Sequence, residues 1–382
     1  MIFHRTIQES IVKHLYRGKI IVLYGARQVG KTTLSKTILE ASTRKGRYLN
    51  GDNPSVVANL TNKNAEELKK YIGDFELVVI DEAQRIENIG ITLKLLVDNY
   101  PEIQIIATGS SSFDLANKIS EPLTGRAWIF HLQPLSFTEI ANGDQTVADQ
   151  TMQRMLIFGS YPAIWNMSNT DAANALTELS SNYLFKDLLE YETLKKSPLL
   201  TKLLQALALQ IGSEVSLREL SNLLTVDIKT IERYIFLLEQ TFVIYRLPAL
   251  KRNPRSEVGK LRKIYFTDLG LRNSLIRNFN ELEIRNDKGA LWENFCVTER
   301  IKFNSYTGLR PNYYFWRSYS QKEIDLVEEY GGKMHAFEFK WRAKNIKLPK
   351  EFNVLYPNNT YTEVASSNFA DILFTSKDTK WV

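Results

Sequence analysis

The sequence predicts an α/β protein that begins with a parallel sheet carrying helices on both faces. Apolar runs alternate with amphipathic segments up to about residue 140, and this alternation is typical of a doubly wound sheet. The periodicity is then mainly helical to about residue 275, and beyond it one helix leads into further strands. We therefore expect domains at residues 1–140, 141–275 and 276–382.

The first domain contains most of this regular alternation. Its short apolar runs predict buried strands, and the segments between them predict helices. We expect the strands at residues 19–24, 47–50, 77–80, 103–107 and 127–132. We expect the helices at residues 32–41, 65–72 and 90–99.

The composition is that of an ordinary globular protein, with 44% hydrophobic and 24% charged residues in a chain of 382. The single cysteine, Cys296, excludes an internal disulfide and a cysteine-rich metal site, and it is typical of a reducing compartment. The first residues lack the apolar core of a signal peptide, and no apolar run approaches the roughly 18 residues of a membrane span. We therefore expect a cytoplasmic protein with no membrane partner.

The net charge of +6 is unevenly distributed. Residues 151–280 contain 17 basic and 12 acidic residues, whereas residues 1–150 are neutral overall. A local excess of this kind is consistent with a surface for nucleic acid or another acidic partner. It is equally consistent with a solvated basic face.

A phosphate-binding motif follows the first predicted strand. Residues 25–32, Gly-Ala-Arg-Gln-Val-Gly-Lys-Thr, match G-x-x-x-x-G-K-[ST] between a strand and a helix. The backbone N–H groups of such a P-loop surround phosphate oxygens, and the next helix presents its positive end. Lys31 is expected to meet the β- and γ-phosphates and Thr32 to ligate Mg²⁺. The expected nucleotide contacts in this stretch are Gly25, Ala26, Arg27, Gln28, Val29, Gly30, Lys31, Thr32 and Thr33.

Two acids end the third predicted strand. Residues 77–82 read Leu-Val-Val-Ile-Asp-Glu. With the phosphate-binding motif upstream, these acids supply the second half of a nucleotide site rather than a strand that ends in two acids by chance. Asp81 is expected to hold the magnesium ion and Glu82 to polarise the attacking water.

Further candidates follow the fourth strand. Thr108 or Ser110 would touch the γ-phosphate or orient the water, or they belong to an ordinary turn. Arg126 would neutralise phosphate charge, or it is a structural salt-bridge partner. Neither residues 62–65 (Asn-Lys-Asn-Ala) nor 117–120 (Asn-Lys-Ile-Ser) have the acid of the guanine-reading N-K-x-D pattern, so ATP is favoured over GTP.

The middle domain contains a pattern similar to a winged helix-turn-helix. Helices are expected at residues 183–191, 216–224 and 229–239, with a strand at 242–247. Lys229, Thr230 and Arg233 would occupy the exposed recognition position. A basic wing would follow, and it would contact phosphates of DNA or RNA through Lys251, Arg252, Arg255, Lys260, Arg262 and Lys263. The alternative is an interaction module that binds no nucleic acid.

The last domain is expected to contain a helix at 290–303 and strands at 312–317, 323–329 and 333–341. Gly331-Gly332 fits a two-residue hairpin turn. This turn pairs positions whose numbers sum to 663, which places Asp325 opposite Glu338 and Glu323 opposite Lys340. The two-residue period of a strand puts all four side chains on one face.

Facing carboxylates repel unless a cation lies between them. Asp followed by Glu-x-Lys is the pattern of restriction-endonuclease-like nucleases, in which two carboxylates bind Mg²⁺ and the lysine assists the reaction. Asp325 and Glu338 are therefore the expected metal ligands, with Lys340 and the helical Glu293 as further catalytic residues. The alternatives are a solvated hairpin face with Lys340 as counter-ion, or a fold of this class without catalysis.

Several stretches together resemble a bacterial and archaeal family of AAA-type ATPases with a C-terminal domain of unknown function, number 4143. The matching stretches are residues 25–33, 79–84, 108–112, 123–126, 159–162, 263–271 and 289–295. The resemblance spans nearly the whole chain, and the order of the motifs fits. It implies a P-loop ATPase domain, a helical and winged-helix segment, and a restriction-endonuclease-like C-terminal domain.

Two functions remain open at this point. The first is an ATP- and Mg²⁺-dependent switch or motor whose C-terminal domain cuts or binds nucleic acid. The second is a signalling ATPase whose C-terminal domain is catalytically silent and binds a protein partner. A metabolic kinase is disfavoured because no acceptor site for a small molecule is apparent.

Overall fold

The computed structural model describes residues 3–109, 121–142, 144–183, 197–250 and 262–374. The chain forms two compact units. The first contains residues 1–135 with 240–242, and the second contains residues 136–239 with 243–382.

The first unit contains a five-stranded sheet in the order β2-β3-β4-β1-β5, and all its strands are parallel. The strands are β1 (Ile20–Tyr24), β2 (Gly46–Asn50), β3 (Leu77–Asp81), β4 (Gln104–Gly109) and β5 (Ala127–His131). The helices are α1 (Ile7–Lys13), α2 (Lys31–Glu40), α3 (Pro54–Leu60), α4 (Ala65–Ile72) and α5 (Ile89–Asn99), with a 3₁₀ turn at Ala83–Arg85.

Helices cover both faces of this sheet. Every residue of β1 and β3 is buried, as expected for strands enclosed on two sides. Alternate residues of β1 pack in one apolar cluster with α3, α4 and α5. The α2 helix contacts β2, β3 and β4 and contributes none of its buried residues to that cluster, so it covers the opposite face. The expected parallel sheet is therefore confirmed.

The second unit begins with helices and ends with a mixed sheet. Its helices are α6 (Phe137–Ala141), α7 (Ala148–Phe158), α8 (Pro162–Trp165), α9 (Asn169–Glu178), α10 (Ser197–Leu209), α11 (Leu217–Leu224), α12 (Ile228–Gln240), α13 (Leu269–Leu275), α14 (Lys288–Thr307), α15 (Lys350–Leu355) and α16 (Phe369–Leu373). A π-helical turn (Leu179–Tyr183) follows α9, and short 3₁₀ turns lie at Gln145–Val147 and Leu282–Ile284.

Two sheets belong to this unit. An antiparallel pair joins β6 (Ile244–Pro248) to β7 (Arg262–Phe266). The larger sheet has the order β11-β10-β9-β8, and only its β10–β11 pair is parallel. Its strands are β8 (Asn312–Arg317), β9 (Glu323–Tyr330), β10 (Lys333–Phe339) and β11 (Asn359–Val364). The expected fold class, α/β with an N-terminal parallel sheet, is confirmed.

The β9–β10 hairpin has the register that the Gly-Gly turn predicted. Tyr330 pairs with Lys333, and the ladder continues to Leu326 opposite Phe337. Both turn residues, at 331 and 332, have positive φ angles of 58° and 76°, as a two-residue hairpin turn requires. The next positions along the ladder are Asp325 and Glu338.

The middle part of the chain contains the expected elements. The helices expected at 216–224 and 229–239 are α11 and α12, and the following strand is β6. The helix expected at 183–191 and the wing residues 251–261 lie almost entirely outside the described residues. Within the described ranges, no helix is both long and apolar enough to cross a membrane.

Candidate functional site

The P-loop lies between β1 and α2. Gln28 (φ 62°) and Gly30 (φ 97°) have left-handed backbone conformations. Gly25 has no room for a side chain, because a Cβ atom there would lie 2.1 Å from the carbonyl oxygen of Leu132. Gly30 is therefore required by its left-handed backbone conformation, and Gly25 is required by the close approach of the Leu132 carbonyl group. Three further residues were expected to contact the nucleotide: Arg27 and Val29 lie in the loop, and Thr33 lies in the first turn of α2.

The side chain of Lys31 lies inside this loop, and the residue is only 5% exposed. Its Nζ donates to the carbonyl oxygens of Gly25 (2.9 Å) and Ala26 (2.8 Å). Arg5, which precedes α1, donates through Nη1 to the Val29 carbonyl oxygen at 2.7 Å. These contacts hold the loop and place a positive charge in it, where phosphate oxygens would bind. The sequence pattern did not indicate the contribution of Arg5.

Asp81 accepts hydrogen bonds from three hydroxyl groups at the carboxyl edge of the sheet. Its Oδ2 accepts from Thr32 Oγ1 (2.7 Å) and from Tyr48 Oη (2.6 Å). Its Oδ1 accepts from Thr108 Oγ1. Burial and the hydrogen bond to Asp81 raise the pKa of Tyr48, so this hydroxyl stays protonated at neutral pH. The Thr32 hydroxyl and the Asp81 carboxylate are hard oxygen donors, which fit Mg²⁺.

Glu82 follows β3 in a left-handed conformation with φ 50°. Such a conformation is uncommon for a residue with a side chain and is found at functional sites. Gln84 Nε2 donates to Glu82 Oε2 at 2.5 Å, and Thr108 Oγ1 accepts from the Glu82 N–H at 3.4 Å. Glu82 is half-buried and directly follows Asp81.

Two other expected contacts do not join this group. Arg126 precedes β5, whose first residue Ala127 pairs with Ile20 at the start of β1, so Arg126 lies at the amino edge of the sheet. Its Nε is 2.6 Å from Asp98 Oδ1, and both side chains are more than a third exposed. This geometry favours the alternative of a surface salt-bridge partner. Ser110 lies outside the described residues.

A second polar group lies in the second unit, at the end of the β9–β10 hairpin away from its turn. It combines four carboxylates with two lysines and a tyrosine, and we call it the carboxylate–lysine cluster. Its members are Lys263 and Tyr265 on β7, Glu293 on α14, Glu323 and Asp325 on β9, Glu338 on β10 and Lys340 directly after it.

Lys263 is the buried cation of this cluster, at 1% exposure. Its Nζ is 2.8 Å from Glu293 Oε1 and 3.6 Å from Asp325 Oδ1, and it forms an ion pair with Glu323. This corrects the expectation that Lys263 contacts phosphates from a basic wing. Arg262 is also buried, and it is 4.0 Å from Glu232.

Lys340 occupies the other side of Asp325. Its Nζ is 2.6 Å from Glu338 Oε1 and 3.5 Å from Asp325 Oδ2. Asp325 Oδ2 also accepts from the N–H of Phe339 at 2.8 Å. Glu338 Oε2 is buried without a hydrogen-bond partner among the described residues. The four side chains that the hairpin register places on one face therefore lie together, namely Glu323, Asp325, Glu338 and Lys340. Glu293 is joined to them through Lys263.

The electrostatics of the cluster follow from its burial. Burial and the neighbouring Asp325 raise the pKa values of Glu293 and Glu338 to about 7 each. Burial alone would lower the pKa of Lys263, but the adjoining carboxylates, above all Glu293, outweigh it and raise this pKa. Tyr265 donates to Glu293 Oε1 at 2.7 Å. Lys263 is therefore a permanent ammonium group.

The carboxylates of the cluster are paired with lysines. Among the residues that the structure describes, no three His, Cys, Asp or Glu side chains are grouped to hold a metal ion. Both oxygens of Asp325 face an ammonium group, and Glu338 is paired with Lys340. Lys340 lies beside Asp325 and Glu338 as the sequence pattern predicts, whereas Lys263 was not expected there. The ligand role of Asp325 and Glu338 stays a prediction. The sequence pattern did not indicate Lys263, which is remote in sequence from the hairpin and follows a run of basic residues.

Two of the three residues at the predicted recognition position on α12 are exposed. Lys229 and Arg233 are exposed. Thr230, however, donates through its hydroxyl and its backbone N–H to the Asp227 carboxylate, at 2.7 and 2.8 Å. The Asp227 side chain therefore caps the start of the helix, and the Thr230 hydroxyl is bound to that carboxylate.

Three family models match the chain in succession. An AAA domain matches residues 17–141, the domain of unknown function DUF8612 matches residues 149–282, and the domain of unknown function DUF4143 matches residues 288–374.

Similar proteins occur in bacteria and archaea. An uncharacterized protein of Mycobacterium tuberculosis is 29% identical over 344 residues, which is 89% of this chain and 74% of that protein. An uncharacterized protein of Methanocaldococcus jannaschii is 23% identical over 320 residues, 77% of this chain and 69% of that protein.

Two solved structures give only weak matches. The Pif1 helicase of Candida albicans has a TM-score of 0.27 and 18% identity, covering 47% of this chain and 48% of the helicase. A signal transduction ATPase with a tetratricopeptide repeat sensor from Pyrococcus horikoshii has a TM-score of 0.28 and 13% identity, covering 80% and 47%. Neither likeness is close enough to support an argument. The family models, in contrast, show that the chain has the domain composition of AAA-type ATPases with a C-terminal DUF4143 domain, which confirms the resemblance in its motifs.

Proposed function

We propose that the chain hydrolyses ATP at the carboxyl edge of its parallel sheet. The observation that carries the proposal is the contact between Thr32 and Asp81, 2.7 Å apart, next to a P-loop that encloses Lys31. In P-loop proteins these residue types hold Mg²⁺ and the phosphates of the nucleotide. Bound Mg-ATP would supply the γ-phosphoryl group that is transferred to water. ATP rather than GTP is the proposed nucleotide, because the guanine-reading pattern is missing from the sequence.

The residues of the site have separate roles in this proposal. Lys31 stabilises negative charge on the β- and γ-phosphate oxygens, and Thr32 and Asp81 hold Mg²⁺. Glu82 orients the attacking water and accepts its proton, with Gln84 fixing one carboxylate oxygen at 2.5 Å. The backbone N–H groups of the P-loop bind the phosphates, and Ser110 remains a proposed contact to the γ-phosphate.

The proposal is tested by two substitutions with one matched control. Lys31→Ala removes the charge that meets the phosphates and should weaken binding of a fluorescent ATP analogue. Glu82→Gln keeps shape and binding but should slow phosphate release about 100-fold or more, because it removes the catalytic carboxylate. Glu87→Gln makes the same change at an exposed position five residues on and should hydrolyse ATP like the wild type. Wild-type turnover by Glu82→Gln would remove Glu82 from the mechanism.

For the second unit, we propose that it responds to the nucleotide state as a catalytically silent module that binds a protein partner. This proposal is supported by the two lysines that neutralise the carboxylate cluster, including the buried Lys263. The second candidate is metal-dependent cleavage of DNA or RNA. It is favoured by the assembly of Glu293, Asp325, Glu338 and Lys340 in one cluster.

One assay separates these candidates. Plasmid DNA and RNA are incubated with the protein and Mg²⁺ or Mn²⁺, with and without ATP. No cleavage under any condition supports the silent module. Cleavage that disappears in Asp325→Asn, while ATP hydrolysis continues, would establish the nuclease instead. A cytoplasmic location remains a proposal that rests on the single cysteine.

A further inference from the structure

We infer that Lys263 occupies the place at which a metal-dependent enzyme with this carboxylate pattern would hold its divalent cation. The chain's own ammonium group then neutralises the cluster, which takes no metal. The inference concerns the second unit alone, and it deepens the proposal that this unit is catalytically silent.

The first step is the position of the Lys263 amine. It contacts carboxylates from two elements that are remote in sequence, namely Glu293 on α14 and Glu323 with Asp325 on β9. A hard divalent cation would need several of these same carboxylate oxygens. Lys263 therefore competes directly with any cation that approaches the cluster.

The second step is that the backbone and the side chain of Lys263 are both held in place. Lys263 belongs to β7, where it pairs with Leu247 of β6, so its backbone is fixed by the sheet. At 1% exposure, its ammonium group would have to break three ion pairs to leave. Tyr265, two residues on and on the same face of β7, holds Glu293 against it at 2.7 Å.

The third step is the state of the remaining carboxylate oxygens. Asp325 directs Oδ1 to Lys263 at 3.6 Å, and its Oδ2 receives Lys340 at 3.5 Å and the Phe339 N–H at 2.8 Å. Glu338 Oε1 is 2.6 Å from Lys340. Glu338 Oε2 is a single buried oxygen without a hydrogen bond, and one such oxygen does not make a metal site.

The consequence is a set of ion pairs that connects parts of the second unit. Lys263 ties the β6–β7 pair to α14 and to β9. Backbone contacts reinforce this connection, because the Leu250 N–H donates to the Phe315 carbonyl oxygen of β8 at 2.7 Å. The carboxylates thus serve the packing of the unit, without a metal ion and without hydrolysis.

The test is whether removing the lysine creates a metal site. In Lys263→Met the three carboxylates lose their buried counter-ion, and the melting temperature should fall. Mn²⁺ should then raise the melting temperature of nucleotide-free Lys263→Met by more than it raises that of the wild type. Lys302→Met is the matched control. Lys302 is equally buried but lies outside the carboxylate–lysine cluster, with its Nζ 2.8 Å from Glu299 Oε1. This variant should lose stability that Mn²⁺ does not restore.

Calorimetry of the folded wild type provides a second test. The titration with Mn²⁺ should give the same heat for the wild type and for Asp325→Asn, since any metal binds elsewhere. A heat of Mn²⁺ binding that is present in the wild type and lost in Asp325→Asn would overturn the inference. A Lys263→Met protein whose melting temperature does not respond to Mn²⁺ would also overturn it. If Lys263→Met does not fold, the double variant Lys263→Met/Glu293→Gln is used, because it removes one charge of each sign. This double variant should bind Mn²⁺ at the carboxylate–lysine cluster, where the wild type does not. A wild type without ATP hydrolysis would contradict the proposed function and leave this inference intact.

Discussion

Tyr48 connects strand β2 to the nucleotide site through one hydrogen bond to Asp81. Tyr48→Phe removes that bond and keeps the ring, over which Lys36 Nζ lies at 4.5 Å. A hydrogen bond to a carboxylate contributes about 1.5–3 kcal/mol. We therefore expect the melting temperature to fall by a few degrees. We also expect the Mg²⁺ concentration for half-maximal ATP hydrolysis to rise, because Asp81 loses a bond that positions it.

Tyr100→Phe is the control for this prediction, because it makes the same chemical change in the same unit. Tyr100 precedes β4 and so lies at the amino edge of the sheet, away from Asp81. The Mg²⁺ dependence of ATP hydrolysis by Tyr100→Phe should equal that of the wild type. An unchanged Mg²⁺ dependence in Tyr48→Phe would show that Tyr48 does not position Asp81.

Some residues could be identified from the sequence and others could not, and the reason is distance along the chain. Lys31 and Thr32 belong to one local motif, and Asp81 ends a strand, so a pattern predicts them. Tyr48 reaches Asp81 from β2 across 33 residues, and Lys263 reaches Glu293 across 30. Contacts of this kind depend on strand order and packing, which no local pattern contains.

Among the elements, the β9–β10 turn has the most direct test. Gly331 has φ 58°, and a Cβ atom there would meet nothing within 4 Å. Any cost of Gly331→Ala is therefore conformational, since a left-handed residue with a side chain costs roughly 1–2 kcal/mol. We expect the free energy of unfolding in urea to fall by about that amount.

Gly289→Ala is a matched control for this substitution. Gly289 also has open space around its Cβ position, but it lies in the first turn of α14 without a positive φ angle. Alanine is favoured over glycine in helices by up to about 1 kcal/mol. The two substitutions should therefore change the free energy of unfolding in opposite directions, and equal effects would contradict the conformational explanation.

The strands were more predictable than some helices. Continuous apolar runs such as 20–24 and 77–80 are strong signals for strands buried on both faces. The helices α1 and α3 were missed because each has only seven residues, too few for a clear period. A signal for α3 was nevertheless available, since Asn53 caps the helix and Pro54 is its first residue.

For the molecule as a whole, the sequence indicates three domains, whereas the contacts group residues 136–239 and 243–382 into one unit. The predicted boundary near residue 275 follows a change in local periodicity. The pairs that cross it, such as Lys263 with Glu293 and Leu250 with Phe315, involve residues 30 or more apart. Local periodicity cannot reveal them.

This packing also changes the expected nucleic-acid surface. With Arg262 and Lys263 buried, the remaining candidates are the exposed Lys229 and Arg233 and the basic residues of 251–260, which lie outside the described residues. Binding to phosphates releases counterions, so the affinity should fall steeply with salt. If residues 251–260 contact DNA or RNA, the triple substitution of Lys251, Arg252 and Arg255 by Ala should weaken binding.

The same triple substitution should also reduce the slope of log affinity against log salt. The reduction should be about 0.9 for each of the three residues that contacts a duplex phosphate. The control replaces Lys344, Lys347 and Lys350, which are exposed in the same unit, and it changes the net charge equally. Equal loss in both triple variants would indicate only a general charge effect. A flatter slope confined to the first variant would locate the contact, because only direct phosphate neutralisation changes the number of counterions released.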